Sequence, residues 1–303
     1  MISQLKIALI ILFIIPIYVV GQNTYCLQQF RSLKAYDDHD YLKAKVLMDS
    51  ALTVCSDAKN NSYVWHAMGF ICKAIFKTVD NKSSDSKARE WAINAFKKSM
   101  FLDSVDKKYD SLNKPALKTI ALTYYNDCAR HMDTNNYDDA IKFFNKYKET
   151  YYFAYPDKDL TQAEIVFNNT LAGVYKEKYE NNPKKYESFI KLSIKTYEHV
   201  LKLDSLNYSA YHNLGIIWHN LGVELILTEL DVEEDLLLMM DFLDRSVECF
   251  TKALPYLKKA YELDPHNLII VRGMAAIYYS LHEEEKHMIF MNLLNDLQNK
   301  SDD

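Results

Sequence analysis

Small and apolar residues recur at spacings of three and four along most of this chain, which predicts amphipathic helices. The pattern is clearest between Tyr211 and Pro265. The first half of that stretch reads Tyr211-x2-Leu214-Gly215-x2-Trp218, and the second half reads Ala253-x3-Leu257-x2-Ala260 before Asp264-Pro265. The spacing therefore predicts two successive helices, the second of which ends at the Asp-Pro pair.

The same two-part pattern recurs along the chain. Clear copies are Trp65-x2-Met68-Gly69-x2-Cys72 with Ala92-x3-Phe96-x2-Ser99, and Tyr124-x2-Asp127-Cys128-x2-His131 with Tyr137-x2-Ala140-x3-Phe144-x2-Tyr147. Weaker copies lie at both ends of the chain and in residues 163–205, where Asn181-Asn182-Pro183 interrupts the pattern. A helix-pair pattern that recurs along a chain in this way is typical of a solenoid built from helical repeats.

These motifs resemble the tetratricopeptide repeat. The resemblance implies an all-α fold, a right-handed superhelical solenoid of about six antiparallel helix pairs, in which Gly and Ala sites let paired backbones approach closely. It covers residues 25–297, with units at about 25–56, 62–104, 117–155, 163–205, 208–265 and 267–297. We therefore expect a single solenoid over residues 22–303. The terminal Asp-Pro occurs only at Asp264-Pro265 and is replaced by Asp-Ser at Asp103 and Asp204.

Composition agrees with this fold class. The chain has 303 residues with only six Gly and six Pro, too few for a fold rich in turns. The net charge of −5, with both signs dispersed, indicates neither a nucleic-acid-binding stripe nor a polybasic membrane patch.

The N-terminal segment differs from the rest. An unbroken apolar run from Ile7 to Val20 follows Lys6 and ends at Gly21 before polar residues, which is typical of a secretory signal peptide over residues 1–21. Spanning a bilayer needs about 20 apolar residues, so a retained anchor is the less favoured alternative. We expect a mature chain that begins near Gln22, has no membrane span and is secreted or periplasmic.

No motif for catalysis, a cofactor or a metal is present. A phosphate-binding loop, a His-Glu-x2-His helix, a nucleophile elbow and a Cys-x2-Cys pair are all missing from the sequence. His212 and His219 share one helix face, but a metal site needs three or four ligands. The sequence therefore favours a scaffold without enzymatic activity over an enzyme.

The resemblance places the first helix of each pair along a concave groove that would hold a protein or peptide partner. Residues offset from the packing positions are then candidates to line it, and several are the aromatic residues and Arg that often carry binding energy. The candidates are Tyr63, His66, Phe70, Tyr125, Ala129, His212, Ile216, His219, Arg272 and Tyr279. The alternative is that several of these rings only pack between layers.

The unit at 208–265 is longer than its family's usual repeat. Its extra segment, within residues 223–242, contains a capping box at Asp231-x2-Glu234 and predicts two overlong helices. The run Leu236 to Phe242 cannot bury every apolar side chain against one neighbour. It either forms a small core with Val223, Leu225, Ile226 and Leu230, or meets a partner or a second copy. An envelope-assembly role through these helices is thus an alternative function.

Five cysteines are present. Cys26 precedes the first helix and Cys55 follows the second, and these two ends meet in an antiparallel pair. Export would allow a disulfide between them, while Cys72, Cys128 and Cys249 fall inside helices of other units. The alternative is that Cys26 and Cys55 remain separate thiols.

Overall fold

The chain is all-α in this computed structural model, which describes residues 26–229 and 236–301, without the side chains of 228, 229, 236, 300 and 301. Within these residues there are twelve α-helices and no strand. The helices are α1 (Leu27–Asp37), α2 (Tyr41–Val54), α3 (Ser62–Thr78), α4 (Lys87–Leu102), α5 (Asp110–Asp133), α6 (Tyr137–Ala154), α7 (Thr161–Asn181), α8 (Glu187–Leu203), α9 (Tyr208–Glu229), α10 (Leu236–Leu263), α11 (Leu268–Ser280) and α12 (Glu284–Ser301). Successive helices pack as antiparallel pairs, which confirms the predicted all-α, TPR-like helical-repeat fold.

The chain divides into two compact units, and the boundary, between Ile120 and Ala121, falls within α5. The N-terminal unit contains the pairs α1–α2 and α3–α4. The C-terminal unit contains the pairs α7–α8, α9–α10 and α11–α12, together with α6 and the end of α5. The single solenoid over 22–303 stays a prediction, and the predicted signal segment, 1–21, lies outside the described residues.

Small residues form the contacts within the pairs. Ala44, Ala92, Ala140, Ala172 and Ala253 are all fully buried. Serines at equivalent contacts donate hydrogen bonds across the pair: Ser32 Oγ to Ala44 O at 2.6 Å, Ser99 Oγ to Ser62 O at 2.9 Å and Ser193 Oγ to Ala172 O at 2.8 Å. A short side chain keeps the backbones close, and its buried hydroxyl is satisfied by a carbonyl of the facing helix.

The turns inside three pairs share one geometry. His39, Asn135 and His282 each adopt the left-handed conformation, with φ of 64°, 59° and 56°. In each case the next residue's N–H donates to a carbonyl five positions back, at 2.8–2.9 Å, for example from Asn136 to His131. This hydrogen bond closes the end of the first helix and reverses the chain.

Aspartates order two of the corners between pairs. Asp204 accepts a hydrogen bond from Asn207 Nδ2 at 3.1 Å, and Asp264 accepts one from Asn267 Nδ2 at 3.2 Å. Asn267 Oδ1 then accepts from the N–H of Ile269 at 3.0 Å and so caps α11. The Asp204-Ser205 and Asp264-Pro265 turns are therefore stabilised by equivalent hydrogen bonds.

The helices of the enlarged unit are long, with 22 residues in α9 and 28 in α10. Val223 and Ile226 pack against the buried cluster shared by α10 and α11. Other apolar side chains are exposed, including Leu237 at 80% and Met240 at 54%. Val223 and Ile226 thus contribute to this larger cluster, and the predicted small core with residues 236–242 stays a prediction. Leu230 and the capping box of Asp231 and Glu234 lie outside them.

Candidate functional site

The candidate groove residues lie on the first helices of four pairs, α3, α5, α9 and α11. Tyr63, His66 and Phe70 belong to the N-terminal unit, and the other candidates belong to the C-terminal unit.

On α3, His66 is the centre of a ring cluster. Its imidazole stacks on Tyr109 with centroids 4.7 Å apart and meets the edge of Phe70 at 5.0 Å. Tyr63 lies 6.2 Å from His66, and Phe70 packs edge-on against Phe96 at 5.1 Å. Tyr63, His66 and Phe70 are each half-buried, so these side chains contribute to packing and expose only part of their surface.

A buried polar network fixes the tautomer of His66. Asn113, which is fully buried, donates from Nδ2 to Ser99 Oγ at 3.1 Å, and Ser99 donates to Ser62 O at 2.9 Å. Asn113 Oδ1 lies 2.8 Å from His66 Nδ1. Because an amide oxygen can only accept, His66 Nδ1 carries a proton in this arrangement. The network satisfies its own polar groups and positions the ring.

On α5, the two candidates differ in exposure. Tyr125 is half-buried and packs on α6, with its ring 5.2 Å from that of Tyr147 and 6.4 Å from that of Phe144. Ala129, one turn later, is exposed. Of these two candidates, Ala129 is therefore the one that is exposed to a partner.

On α9, the two histidines face different surroundings. His212 stacks on Tyr208 at 6.0 Å, and its Nε2 is buried without a hydrogen-bond partner in the described part of the chain. His219 lies 5.5 Å from the ring of Phe250. Burial lowers the pKa of both imidazoles, with a smaller effect from the nearby Lys176 charge on His212. Both are therefore neutral at pH 7.

The remaining candidates show the same division between packing and exposure. Ile216 is half-buried against the cluster formed by α10 and α11. Arg272 and Tyr279, two turns apart on α11, are exposed, and 69% of the Tyr279 surface is accessible. The ring of Tyr279 lies 5.3 Å from that of His287 on α12. Arg272, Tyr279 and Ala129 are thus the candidates that are fully exposed.

Sequence reasoning missed an open pocket of about 190 Å³ between α7, α8 and α9. Its lining combines apolar residues of the buried cluster, Ile190 and Ile217, with the polar side chains of Tyr179, Glu180 and Glu224. These residues form no recognisable sequence motif, and they come from three different helices. The helical periodicity of the sequence therefore does not indicate that they lie together.

The described residues contain no group of three or more His, Cys, Asp or Glu side chains that could hold a metal ion. Among the helices of that same part of the chain, none is both long enough and apolar enough to cross a bilayer.

No family model matches the chain, and no curated protein matches it. Among solved structures, the chain is similar to one described as "TPR2AB-domain:pHSP90-complex of yeast Sti1". The alignment covers 90% of each chain at 13% identity, with a TM-score of 0.29. A likeness this distant carries no argument about function.

Proposed function

We propose that this chain is an extracytoplasmic scaffold that binds a protein or peptide segment through the first helices of its pairs, without enzymatic activity. The observation that carries the proposal is the exposed pair Arg272 and Tyr279 on one face of α11. Arg and Tyr are the side chains that most often dominate binding at interfaces. Antiparallel helix pairs supply a rigid support for them.

Two observations support the extracytoplasmic location. The sequence of residues 1–21 has the pattern of a signal peptide. Cys26 and Cys55 form a disulfide, with their Cα atoms 5.9 Å apart, and such bonds persist mainly in oxidising compartments.

The binding proposal predicts the effect of removing the exposed pair on α11. Peptides selected from a random display library on the chain from Gln22 onward should bind the variant carrying Arg272→Ala and Tyr279→Ala about 30-fold more weakly, since a hot spot is worth about 2 kcal/mol. Isothermal titration measures this change. The matched control is Phe101→Ala on α4, where the ring is 71% exposed. Failure to select any peptide, or equal binding by the double variant, would contradict the proposal.

A second candidate function, assembly through α9 and α10, is favoured by a separate observation. Met240, Leu243 and Val247 are 54%, 39% and 46% exposed and are spaced by three and four residues along α10. This spacing forms one stripe, as at a helix–helix seam. A second copy or another envelope protein would bury it.

The assembly role predicts self-association that depends on the stripe. In sedimentation velocity the chain from Gln22 onward should show a dimer at micromolar concentration, and Met240→Ser with Leu243→Ser should return it to a monomer. The serine side chains would remove the apolar contact that holds the two copies together. Val105→Ser serves as the control, because Val105 is 91% exposed elsewhere in the chain. A wild-type chain that stays monomeric up to 100-fold higher concentration would rule out self-assembly through α10.

A further inference from the structure

The pocket between α7, α8 and α9 is divided into an apolar floor and an acidic rim. Ile190 and Ile217 form the floor and are 6% and 2% exposed. Leu221 packs against the same cluster. Glu180 and Glu224 line the rim, one from the end of α7 and one from α9. A ligand that fits must therefore combine an apolar body with a polar end.

Tyr179 holds one of the two carboxylates in place. Its hydroxyl donates to Glu224 Oε2 at 2.5 Å. Burial, followed by this hydrogen bond and the Glu224 charge, raises the pKa of Tyr179 far above its ordinary value. The phenol therefore stays protonated at all physiological pH and donates to Glu224. This orients a negative charge at the pocket before any ligand arrives.

The charges around the rim are predominantly negative. Glu180 Oε1 lies 3.5 Å from Lys176 Nζ on the same helix, and the Glu180 side chain is 48% exposed. Glu187, at the start of α8, adds a further negative charge near Tyr179. Glu187 in turn lies 3.3 Å from Lys191 Nζ. The three carboxylates and two ammonium groups therefore leave one net negative charge, which favours a cation over an anion.

The volume limits the size of the ligand. Pockets for drug-sized molecules have volumes of about 300–1,000 Å³, whereas this one measures about 190 Å³. At about 30 Å³ per water molecule it corresponds to roughly six waters. One long side chain fits this space, and a whole cofactor does not.

We propose that the pocket binds the side chain of a lysine on the bound polypeptide, with the stem against Ile190, Ile217 and Leu221 and the ammonium beside Glu224 and Glu180. The apolar stem of a lysine matches the apolar floor, and its compact positive charge matches the acidic rim. Arginine fits less well because Tyr179 already engages one oxygen of Glu224, and a guanidinium pairs best with both. The inference rests on the proposed binding of a polypeptide.

A lysine side-chain mimic tests the pocket itself. Methyl-labelled protein is titrated with n-butylammonium chloride, and the NMR shifts of the Ile190, Ile217 and Leu221 methyl groups are followed. We expect saturable shifts at these positions, with affinity at least fivefold higher than for 1-butanol, which has the same stem without the charge. Equal affinity for the two compounds, or no shift at these methyl groups, would overturn the proposal.

Two variants test whether the rim carboxylates bind the ammonium group of n-butylammonium. Glu224→Gln and Glu180→Gln keep the side-chain shape, and each should weaken n-butylammonium binding by about fivefold. Glu248→Gln on α10 is the matched control, because its side chain is 70% exposed and lies outside the pocket lining. The methyl spectrum also reports whether each variant is folded. Unchanged affinity in both rim variants would contradict the assignment.

Selected peptides separate this inference from the proposed function. Replacing each Lys of a bound peptide by Met should weaken binding at one position, and Glu224→Gln should abolish that difference. A peptide that binds with no dependence on Lys or on Glu224 leaves the scaffold function standing and overturns the lysine site. A pocket that binds n-butylammonium while no peptide can be selected supports the cation site and contradicts the scaffold function.

Discussion

Gly215→Ala should lower the free energy of unfolding of the C-terminal unit by about 2 kcal/mol, although alanine is the better helix former. A Cβ at this position would lie 2.5 Å from Leu257 Cγ and 3.3 Å from the Leu257 backbone N. Leu257 is fully buried, so its side chain has no space to move into. The new methyl group therefore forces α9 and α10 apart. Urea unfolding followed by circular dichroism measures the change.

Gly173→Ala is the matched control, and we expect it to have the opposite sign. A Cβ there meets only the Tyr197 hydroxyl, at 3.6 Å, which is an ordinary van der Waals distance. Without a clash, the higher helix propensity of alanine should raise stability by roughly 0.5–1 kcal/mol. If the two substitutions changed stability in the same direction, close backbone approach would not be the reason for glycine at 215.

This contrast shows which part of the fold could be predicted from the sequence. Gly215, Ala253 and Leu257 occur at the spacings that a close helix pair requires, and the fully buried Ala253 and Leu257 agree with that prediction. The sequence pattern of the helix pair is clear because each packing position allows few residue types. Helix pairing follows from such steric limits, and the surrounding polar residues affect it little.

The backbone geometry of the turns could not be predicted in the same way. His39, Asn135 and His282 adopt a backbone conformation that usually requires glycine. Histidine gives no turn signal in a sequence, so the shared turn geometry of these pairs was visible only in the structure. The cost of a positive φ is offset there by the hydrogen bonds that close each first helix.

The candidate groove stays a prediction, and the burial of its side chains could not be predicted from the sequence. Helical spacing predicts which helix face Tyr63, His66 and Tyr125 occupy, but it does not give the depth at which each ring is buried. His66 depends on Asn113 and Tyr109, which lie more than 40 residues further along the chain. The ring of Tyr279 lies 5.3 Å from that of His287 and still remains 69% exposed. Partners from distant segments decide burial, and a single sequence does not reveal them.

The acidic pocket was not predicted because none of its residues is unusual by itself. Tyr179 and Glu224 are 45 positions apart and meet only through the packing of α7 on α9. The helix-breaking Pro183 also lines the pocket, at the α7–α8 turn. The sequence indicates that turn, but it does not indicate the pocket that Pro183 lines.

The Cys26–Cys55 disulfide should contribute roughly 3–4 kcal/mol to the stability of the first helix pair, on the chain-entropy model for a bridge over 29 residues. Cys26 is the N-cap of α1, and Cys55 is the C-cap of α2. The bond therefore ties together the open end of the pair. Beyond itself, this terminal pair packs mainly on α3, so few other contacts compensate for the loss of the bond. Hydrogen exchange should be accelerated in α1 and α2 when the bond is removed.

The measurement compares the wild-type chain with the Cys26→Ser, Cys55→Ser double variant, each with and without dithiothreitol. Reductant should accelerate exchange in α1 and α2 of the wild type and leave the double variant unchanged. The other cysteines should not respond, since burial raises the pKa of Cys72 and Cys128 to about 12 and keeps them as thiols. Cys249→Ser controls for the remaining, half-buried thiol. Free alkylation of both Cys26 and Cys55 in protein purified without reductant would show that the bond does not form and would contradict the prediction.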